Sequence, residues 1–295
     1  MQKALVLGST GFFGRHFVEK AKDLFELTCL DSKSCDLLTN KICDFKDIKY
    51  DYIFYFAVKT EAGGYCQKHP GEQFLINQTM NKTILNYRKN HQPQAKFVTF
   101  GSSCSYSDNS IKTEDNYLTD FCETGYETYG MIKRMLLIGL RALEREYGMK
   151  YLFFVPSCFY GPNYDKTDKH FIYDIVKKIC NAKYNGETAT LWGDGHQKRE
   201  LIYVKDAANI LLEKLPLDNE VINLSTGQTH SMREYASIIC NLIDYDFCKI
   251  EFDTTKPVGA REKKFVIDKL KGTVFTNVEE GIKDVINFYI NNYME

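Results

Sequence analysis

The sequence predicts an α/β fold, in which a doubly wound parallel sheet is followed by a smaller α/β lobe. The first observation is an alternation of short apolar runs with helical patterns, which is typical of parallel strands joined by crossover helices. The second is a glycine-rich turn directly after the first apolar run. The third is a Tyr-x-x-x-Lys pair in a later helical pattern.

The predicted elements divide the chain into a large domain and a smaller lobe. Strands are expected at 4–7, 27–30, 52–57, 96–100, 151–155, 190–192, 201–204, 221–224 and 249–252. Helices are expected near 14–25, 72–90, 126–147, 170–183, 206–214, 231–243 and 278–293. The strands at 201–204 and 221–224 should return to the large sheet. The large domain then comprises residues 1–162 with a segment at about 200–226, and the lobe comprises 163–199 and 227–295.

The first strand and helix have the features of a Rossmann-type dinucleotide site. The strand pattern runs into Gly8-Ser9-Thr10-Gly11-Phe12-Phe13-Gly14, in which three glycines open a helical pattern. Glycines permit a tight turn, and the following helix N-terminus offers amides and a positive dipole end to a pyrophosphate. Asp31 ends the second strand pattern, where a carboxylate would meet the adenosine ribose hydroxyls. The alternative for Asp31 is a residue that caps a turn.

The proton donor is expected after the fourth strand. Gly101-Ser102-Ser103 follows that strand, and Tyr129 and Lys133 lie four positions apart in the next helical pattern. Such residues share a helix face, so the ammonium can lower the phenol pKa and the pair can pass a proton to a carbonyl oxygen. The alternative is an ordinary surface helix. Because catalytic groups lie just past the carboxyl ends of strands in such folds, this turn should converge with the glycine turn.

Composition excludes several classes of protein. The chain has 295 residues and a formal net charge of -1, so no basic field indicates nucleic-acid binding. No run approaches the ~18 apolar residues of a membrane span, and the N-terminus leads directly into a strand pattern. Ten cysteines without a Cys-x-x-Cys pair and six scattered histidines predict reduced thiols and no metal site. We therefore expect a cytoplasmic enzyme, with coincidental sequons at Asn77, Asn81 and Asn223.

The motifs resemble those of the extended short-chain dehydrogenase/reductases and, within them, the GDP-L-fucose synthase family of GDP-4-keto-6-deoxymannose epimerase-reductases. The resemblance covers nearly the whole chain. It rests on Gly8-x-x-Gly11-x-x-Gly14, Phe100-Gly-Ser-Ser-Cys-Ser-Tyr106, Tyr129-x-x-x-Lys133, Tyr160-Gly-Pro162, His170, Trp192-Gly-Asp-Gly195, Arg199-Glu200, Val204-x-Asp206, Ile222-Asn-Leu-Ser-Thr-Gly227 and Asp253-Thr-Thr-Lys-Pro-Val-Gly259.

The resemblance implies a reductase triad of Ser102, Tyr129 and Lys133. It implies hydride delivery from a nicotinamide to the C-4 ketone of a GDP-linked 4-keto-6-deoxy sugar. Tyr129 would donate the proton, Ser102 would hydrogen-bond the same oxygen, and Lys133 would hold a ribose hydroxyl. Cofactor contacts are expected at the glycine turn, Asp31, Lys133, Ala57, Gly101 and Pro156.

Cys104 distinguishes this chain from the related dehydratases, which carry Asp-Glu where this chain has Ser103-Cys104. Without the acid pair, the loss of a C-6 hydroxyl lacks its general acid and base. The resemblance implies instead that Cys104 and His170 exchange the acidic protons at C-3 and C-5. The alternatives are a buried structural cysteine and a solvated or helix-capping histidine. The loop before His170 is shorter than the family pattern.

Four residues are expected to contact the substrate, which should lie between the lobes. Trp192 and Arg199 match family positions beside the nucleotide sugar and its diphosphate, and Ser103 and Lys178 are further candidates. An Arg fork suits two phosphoryl oxygens, and an indole suits a sugar or base face. The alternatives are a packing Trp and solvated cations.

The sequence leaves more than one possibility for the dinucleotide, the reaction and the oligomeric state. NADP(H) follows from the resemblance, whereas Asp31 after the second strand favours NAD(H), with Arg15 and Lys33 still able to reach a 2′-phosphate. Two other functions stay open: a stand-alone C-4 reductase, and a dinucleotide-sensing scaffold without turnover. A hexose and a heptose are not distinguished. A homodimer through the Tyr129 helix is implied by the resemblance, with Leu136, Leu137, Ile138 and Leu140 either as its surface or as core.

Overall fold

The computed structural model describes residues 1–39, 41–62, 64–108, 110–256 and 258–294. The chain forms two compact units. Unit 1 comprises Met1–Thr60, Gly64–Pro156 and Ala207–Leu224. Unit 2 comprises Glu61–Gly63, Ser157–Asp206 and Ser225–Glu295.

Strands and helices alternate through the first half of the chain. The strands are β1 (Gln2–Leu7), β2 (Phe25–Leu30), β3 (Tyr52–Tyr55), β4 (Lys96–Phe100), β5 (Tyr151–Pro156), β6 (Cys158–Tyr160), β7 (Thr190–Trp192), β8 (Lys198–Arg199), β9 (Leu201–Tyr203), β10 (Glu220–Leu224), β11 (His230–Ser231) and β12 (Glu251–Asp253). The α-helices are α1 (Phe12–Ala21), α2 (Tyr65–Lys68), α3 (Pro70–His91), α4 (Glu127–Tyr147), α5 (Phe171–Asn185), α6 (Val204–Glu213), α7 (Met232–Ile243) and α8 (Val278–Tyr293).

The core of unit 1 is a six-stranded parallel sheet in the order β10-β5-β4-β3-β1-β2. All six residues of β5 and the last four of β1 are buried, as expected for strands covered on both faces by helices. The chain runs outward from β1 to β2 and then in the opposite direction through β3, β4 and β5. This reversal creates a switch point at the carboxyl ends of β1 and β3, where such sheets bind ligands. The predicted doubly wound α/β fold is confirmed.

Helix α4 uses most of its apolar residues as core. Leu136, Leu137 and Leu140 are buried, so they pack inside unit 1. Ile138 is exposed, and it shares a helix face with the exposed Met131 at the spacing of two turns.

One strand prediction is wrong. Leu201–Tyr203 does not return to the large sheet but pairs in parallel with Cys158–Tyr160 inside unit 2. Strand β5 ends at Pro156, whose nitrogen cannot donate a ladder hydrogen bond, and the chain then continues as β6. The later prediction, for 221–224, is confirmed, because β10 lies next to β5.

Unit 2 combines short strand pairs with a group of helices. Its strand pairs are β6 with β9, β7 with β12, and β8 with β11. Helices α5, α7 and α8 pack against one another through buried aliphatic and aromatic side chains. Helix α7 begins with a capping box, in which Ser231 and Glu234 each accept a hydrogen bond from the other's amide.

Membrane spans and metal clusters are absent from the described ranges. No helix in those ranges combines the length and apolar character needed to cross a bilayer. The same residues contain no group of three or more His, Cys, Asp or Glu side chains arranged to hold a metal ion.

Candidate active site

The glycine turn between β1 and α1 is shaped by two close approaches. Gly8 has φ +85°, and a Cβ there would lie 2.7 Å from the amide nitrogen of Ala57. A Cβ on Gly14 would lie 2.1 Å from the carbonyl oxygen of Gly8. At Gly11, by contrast, a Cβ would have only the Gly8 oxygen nearby, at 3.3 Å. The turn therefore folds tightly and brings the α1 N-terminus to the switch point, which suits a diphosphate.

Asp31 caps a turn at the end of β2. Its Oδ1 accepts from the amides of Lys33 (3.0 Å) and Ser34 (2.9 Å) and from the Ser34 hydroxyl (2.9 Å). These hydrogen bonds, led by the Ser34 amide, lower the pKa of Asp31, so its carboxylate is ionised at neutral pH. Arg15, a cation of the glycine turn, donates to the carbonyl oxygen of Thr10 at 3.1 Å.

The other expected cofactor residues lie along the same sheet edge. Ala57 follows β3, Gly101 follows β4, and Pro156 ends β5. The Gly101 amide donates to Phe154 O at 2.7 Å, and a Cβ on Gly101 would lie 2.5 Å from both the Phe153 ring and the Tyr117 hydroxyl. Only glycine fits there, so the backbone at residue 101 can turn toward Ser102.

Ser102 begins a 3₁₀ turn over Ser103–Ser105 and is buried. Its Oγ accepts from the Cys104 amide at 3.2 Å, which leaves the hydroxyl proton available to donate elsewhere. The Ser102 amide donates to the buried Tyr117 hydroxyl at 3.3 Å, and Tyr117 donates to Ser105 Oγ at 2.8 Å. This network fixes the position of the Ser102 backbone and of its Oγ.

Helix α4 is locked onto this turn by a buried arginine. The Arg134 guanidinium donates to the carbonyl oxygens of Ser105, Thr119 (2.6 Å) and Asp120 (2.7 Å). A buried cation that serves three backbone oxygens fixes the helix relative to both loops.

Gly130 allows α4 to approach the turn closely. A Cβ at this position would lie 2.6 Å from Cys104 O and 2.7 Å from Cys122 Sγ. The Gly130 oxygen also accepts from the Ser105 hydroxyl at 3.1 Å. The preceding residue, Tyr129, is thereby held beside the Cys104 turn.

Tyr129 and Lys133 form the expected pair, but burial dominates their ionisation. The Lys133 ammonium lies 5.9 Å from the centre of the Tyr129 ring, and Lys133 is 6% exposed. Burial lowers the pKa of Lys133 to about 8, and no described residue hydrogen-bonds or ion-pairs with its ammonium. Burial also raises the pKa of Tyr129, and a negative charge on Cys104 raises it further. The expected lowering of the phenol pKa by Lys133 is therefore not found.

Thr60 is a contact of Tyr129 that the sequence did not reveal, because its loop carries no motif. Its hydroxyl lies beside the Tyr129 phenol and opposes the rise of the phenol pKa. Gln73 Nε2 donates to Thr60 Oγ1 at 3.3 Å. Asn77 holds both backbone groups of Lys59, donating to its oxygen at 2.9 Å and accepting from its amide at 3.0 Å.

The three sequon asparagines are buried. Asn77 and Asn81 lie on the inner face of α3, and Asn81 accepts from the Tyr55 hydroxyl at 3.1 Å. Asn223 lies in β10 and donates to Lys112 O at 2.8 Å. Each asparagine thus serves as a structural hydrogen-bonding residue.

His170 is the N-cap residue of α5 in unit 2, but its side chain makes no capping bond. Its Nδ1 lies 2.6 Å from Asp168 Oδ1, and the same oxygen accepts from the His170 amide at 2.8 Å. Asp168 was missed in the sequence, where the Asp-x-His spacing was its only signal. The capping alternative for the imidazole is therefore not what the structure shows.

Lys178 and Trp192 lie together in unit 2. The Lys178 ammonium is 5.7 Å from the centre of the Trp192 ring and pairs with Asp174 Oδ2 at 2.7 Å. Trp192 is 59% exposed, so its indole presents a face to solvent. A cation beside an exposed indole is an arrangement suited to a nucleotide diphosphate and its attached ring.

Arg199 supports backbone in the present structure. Its guanidinium donates to the carbonyl oxygens of Lys198 (2.8 Å), Ala260 (2.7 Å) and Val258 (3.3 Å). Arg261, which no sequence motif marks, pairs with Asp194 Oδ2 at 2.7 Å.

The expected site residues thus fall into two groups. Unit 1 holds the triad with Ser103, Cys104 and the cofactor positions, and unit 2 holds His170, Lys178, Trp192 and Arg199.

Comparison with known proteins places this geometry in a family. Residues 4–224 match the NAD dependent epimerase/dehydratase family. The chain is 30% identical to GDP-L-colitose synthase from Yersinia pseudotuberculosis, in an alignment covering 98% of each chain. It is 28% identical to GDP-L-fucose synthase from Dictyostelium discoideum over 98% of this chain and 95% of that protein.

A solved structure with the same fold is the GDP-L-fucose synthetase from Naegleria fowleri bound to NADP. It has a TM-score of 0.88 at 23% identity, and the match covers 99% of this chain and 93% of the other. The chain therefore belongs to the NAD dependent epimerase/dehydratase family, as an enzyme of the GDP-L-fucose synthase-like group of extended short-chain dehydrogenase/reductases.

Proposed function

We propose that this enzyme reduces the C-4 ketone of a GDP-linked 4-keto-6-deoxy sugar and also epimerises C-3 and C-5. The observation that carries the proposal is the buried ammonium of Lys133 beside the Tyr129 phenol. A buried charge without a structural partner lowers the stability of the fold, so its presence points to chemistry.

The proposed cofactor is NADP(H), with NAD(H) as the alternative. When bound, a reduced nicotinamide supplies the hydride. The glycine turn and the α1 N-terminus would hold the diphosphate, and Lys133 would donate to a ribose hydroxyl. Asp31 keeps NAD(H) in consideration, since its ionised carboxylate suits free ribose hydroxyls and repels a 2′-phosphate.

The proton half of the reduction belongs to Tyr129. As negative charge develops on the C-4 oxygen, the phenol O–H bond breaks and the proton passes to that oxygen. Ser102 donates a hydrogen bond to the same oxygen, since its hydroxyl proton is available while its Oγ accepts from the Cys104 amide. The Lys133 ammonium then stabilises the phenolate that remains.

Charge repulsion sets an order for the two reactions. An anionic Cys104 raises the pKa of Tyr129, so a thiolate and a phenolate disfavour each other. Cys104 therefore acts as a base while Tyr129 is still protonated, and His170 returns a proton to the sugar carbon. Proton exchange at C-3 and C-5 precedes reduction in this scheme.

Proton NMR in heavy water with GDP-4-keto-6-deoxymannose tests the proposal. Deuterium should enter C-3 and C-5 without nicotinamide, and Cys104→Ser should abolish that exchange. Addition of NADPH or NADH should then give absorbance loss and one product configuration. Reduction without exchange would leave a stand-alone C-4 reductase, and dinucleotide binding without turnover would leave a sensing scaffold.

We also propose a homodimer through α3 and α4. Leu75 on α3 and Met131, Met135 and Ile138 on α4 are exposed apolar residues, and the two helices pack side by side. Light scattering should report a dimer for the wild type and a monomer when Met131 and Met135 are both replaced by Glu. Leu24→Glu, at an exposed apolar residue outside these helices, is the matched control and should stay dimeric.

A further inference from the structure

The imidazole of His170 is held by a carboxylate from its own loop. Asp168 Oδ1 lies 2.6 Å from His170 Nδ1 and 2.8 Å from the His170 amide nitrogen. A carboxylate only accepts hydrogen bonds, so Nδ1 must carry a proton. We propose that Asp168 is a positioning residue that fixes His170 as the Nδ1–H tautomer and reserves Nε2 for proton exchange with the sugar. This inference rests on the proposed epimerase function.

The loop that carries Asp168 is anchored at its start. Tyr164 is buried and stacks on Tyr173 of α5, with ring centres 3.9 Å apart, and it also contacts Phe288 of α8. Asn163, just before it, has φ +62°, so the chain turns sharply into this aromatic contact. The short loop therefore has a fixed starting point.

Two successive turns then lead to the histidine. Asp165 Oδ1 accepts from the Thr167 amide (2.8 Å) and hydroxyl (2.6 Å), and the Asp168 amide donates to Asp165 O at 2.9 Å. The Asp168 side chain is 19% exposed, whereas the His170 side chain is 51% exposed. A largely exposed imidazole is thus oriented by a partly buried carboxylate.

Helix capping does not explain the contact with the ring. The His170 oxygen already accepts from the amides of Tyr173 (3.1 Å) and Asp174 (3.2 Å), and Asp168 takes the His170 amide. Those bonds would form with any residue at position 170. The bond to Nδ1 exists only because that residue is histidine.

The tautomer matters for the acid step. When His170 acts, the Nε2–H bond breaks, the proton moves to the sugar carbon, and the electron pair stays on Nε2. The ring that remains carries its proton on Nδ1, the form that Asp168 stabilises. The Cys104 thiol then releases to solvent the proton that it took from the sugar, and solvent returns one proton to Nε2, so that both groups are restored. A solvated neutral imidazole favours the opposite tautomer, so Asp168 selects the state that the step produces.

NMR of the free protein labelled with ¹⁵N-histidine tests the contact without substrate or cofactor. Long-range ¹H–¹⁵N correlation should show the wild-type His170 ring as Nδ1–H, with its signal assigned by its absence in His170→Gln. In Asp168→Ala the ring should shift toward Nε2–H, whereas in Asp246→Ala, a control that removes a comparable side-chain-to-amide hydrogen bond in another turn of unit 2, it should not. A wild-type ring in the Nε2–H form, or an unchanged ring in Asp168→Ala, would overturn the inference.

Kinetics test the role. Asp168→Ala should slow deuterium exchange at C-3 and C-5 by about 10- to 100-fold. It should leave unchanged the C-4 reduction of a substrate already in the product configuration, and Asp246→Ala should leave both rates unchanged. Equal losses in exchange and reduction, or no loss of exchange, would contradict a positioning role.

Two further results distinguish failure of the Asp168 proposal from misfolding of the variant and from failure of the epimerase proposal. Asp168→Asn keeps an acceptor for the His170 amide, so it preserves the loop if Asp168→Ala misfolds. Its amide NH₂ can face Nδ1 and favour the wrong tautomer, so slowed exchange is expected and wild-type exchange would overturn the role. Absence of exchange in the wild type would end the epimerase proposal, while the imidazole spectrum would still decide whether Asp168 controls the tautomer.

Discussion

Replacing Lys133 by Met should make the protein more stable and inactive. Burial lowers the pKa of Lys133 from an ordinary 10.5 to about 8 because the folded chain disfavours the ammonium. That difference corresponds to at most about 3 kcal/mol of unfolding free energy at neutral pH. At roughly 2–4 °C per kcal/mol for a domain of this size class, the melting temperature should rise by at most ~6–12 °C. Reduction should fall by at least ~100-fold.

The stability difference between Lys133→Met and the wild type should depend on pH. Below about pH 8 the ammonium is charged in both states, so the folded chain bears the whole desolvation cost. Between about pH 8 and 10.5 the unfolded chain binds more protons than the folded chain, so wild-type stability gains with rising pH relative to Lys133→Met. The advantage of the variant should therefore be largest at neutral pH and shrink toward pH 10.5.

The assay is thermal and urea unfolding of both proteins without dinucleotide, at several pH values from 7 to 10. Arg134→Met is the matched control, since Arg134 is also a buried cation and is the next residue of the same helix. It should be destabilised, because three carbonyl oxygens lose their donor. A Lys133→Met protein that is less stable at pH 7, or whose advantage is independent of pH, would refute the reasoning.

Three other substitutions probe the site. Tyr129→Phe should lower C-4 reduction by ~10²–10⁴-fold while NMR still detects deuterium exchange at C-3 and C-5; joint loss would argue against separate proton donors. Gly130→Ala should destabilise by ~1–3 kcal/mol in thermal scans, because its Cβ would lie 2.6 Å from Cys104 O. Gly139→Ala meets only the end of a leucine side chain at 3.2 Å and should be tolerated; equal losses would contradict the packing argument. Gly14→Ala should abolish dinucleotide binding by calorimetry, and retained affinity would show that the turn can relax.

Much of the large sheet could be predicted because patterns over a few neighbouring residues identify its strands. Buried parallel strands are short apolar runs, and Gly14 is required by its close approach to the carbonyl oxygen of Gly8 in the same turn. The approach of Gly8 to Ala57, by contrast, joins distant parts of the chain. Local patterns also identify Tyr129 and Lys133, whose four-residue spacing places them on one face of α4, and Ser102, which directly follows β4 and Gly101. The pairing of Leu201–Tyr203 was not predictable in this way, because a three-residue strand does not encode its partner.

The supporting residues were harder to find. Arg134 looks like any helical arginine in the sequence, and its burial depends on where three distant carbonyl oxygens lie. Thr60 acquires its role only when a separate helix brings the Tyr129 phenol to it. The ionisation of Tyr129 was also misjudged, since the Tyr-x-x-x-Lys spacing says nothing about how deeply the pair is buried.

Polar side chains on the inner face of α3 fix the position of that helix relative to residues 59 and 60 through hydrogen bonds. Gln73 and Asn77 point at the 59–60 backbone and Thr60, one turn apart, where most helices would present aliphatic side chains. Apolar packing tolerates a small displacement of a helix. A buried amide does not, because the loss of its hydrogen-bond partner costs free energy. A displacement of α3 by one turn would leave these amides without hydrogen-bond partners, so only one position of the helix along its axis is favourable. The distance between Thr60 and the Tyr129 phenol is consequently set by the hydrogen bonds that α3 makes to residues 59 and 60.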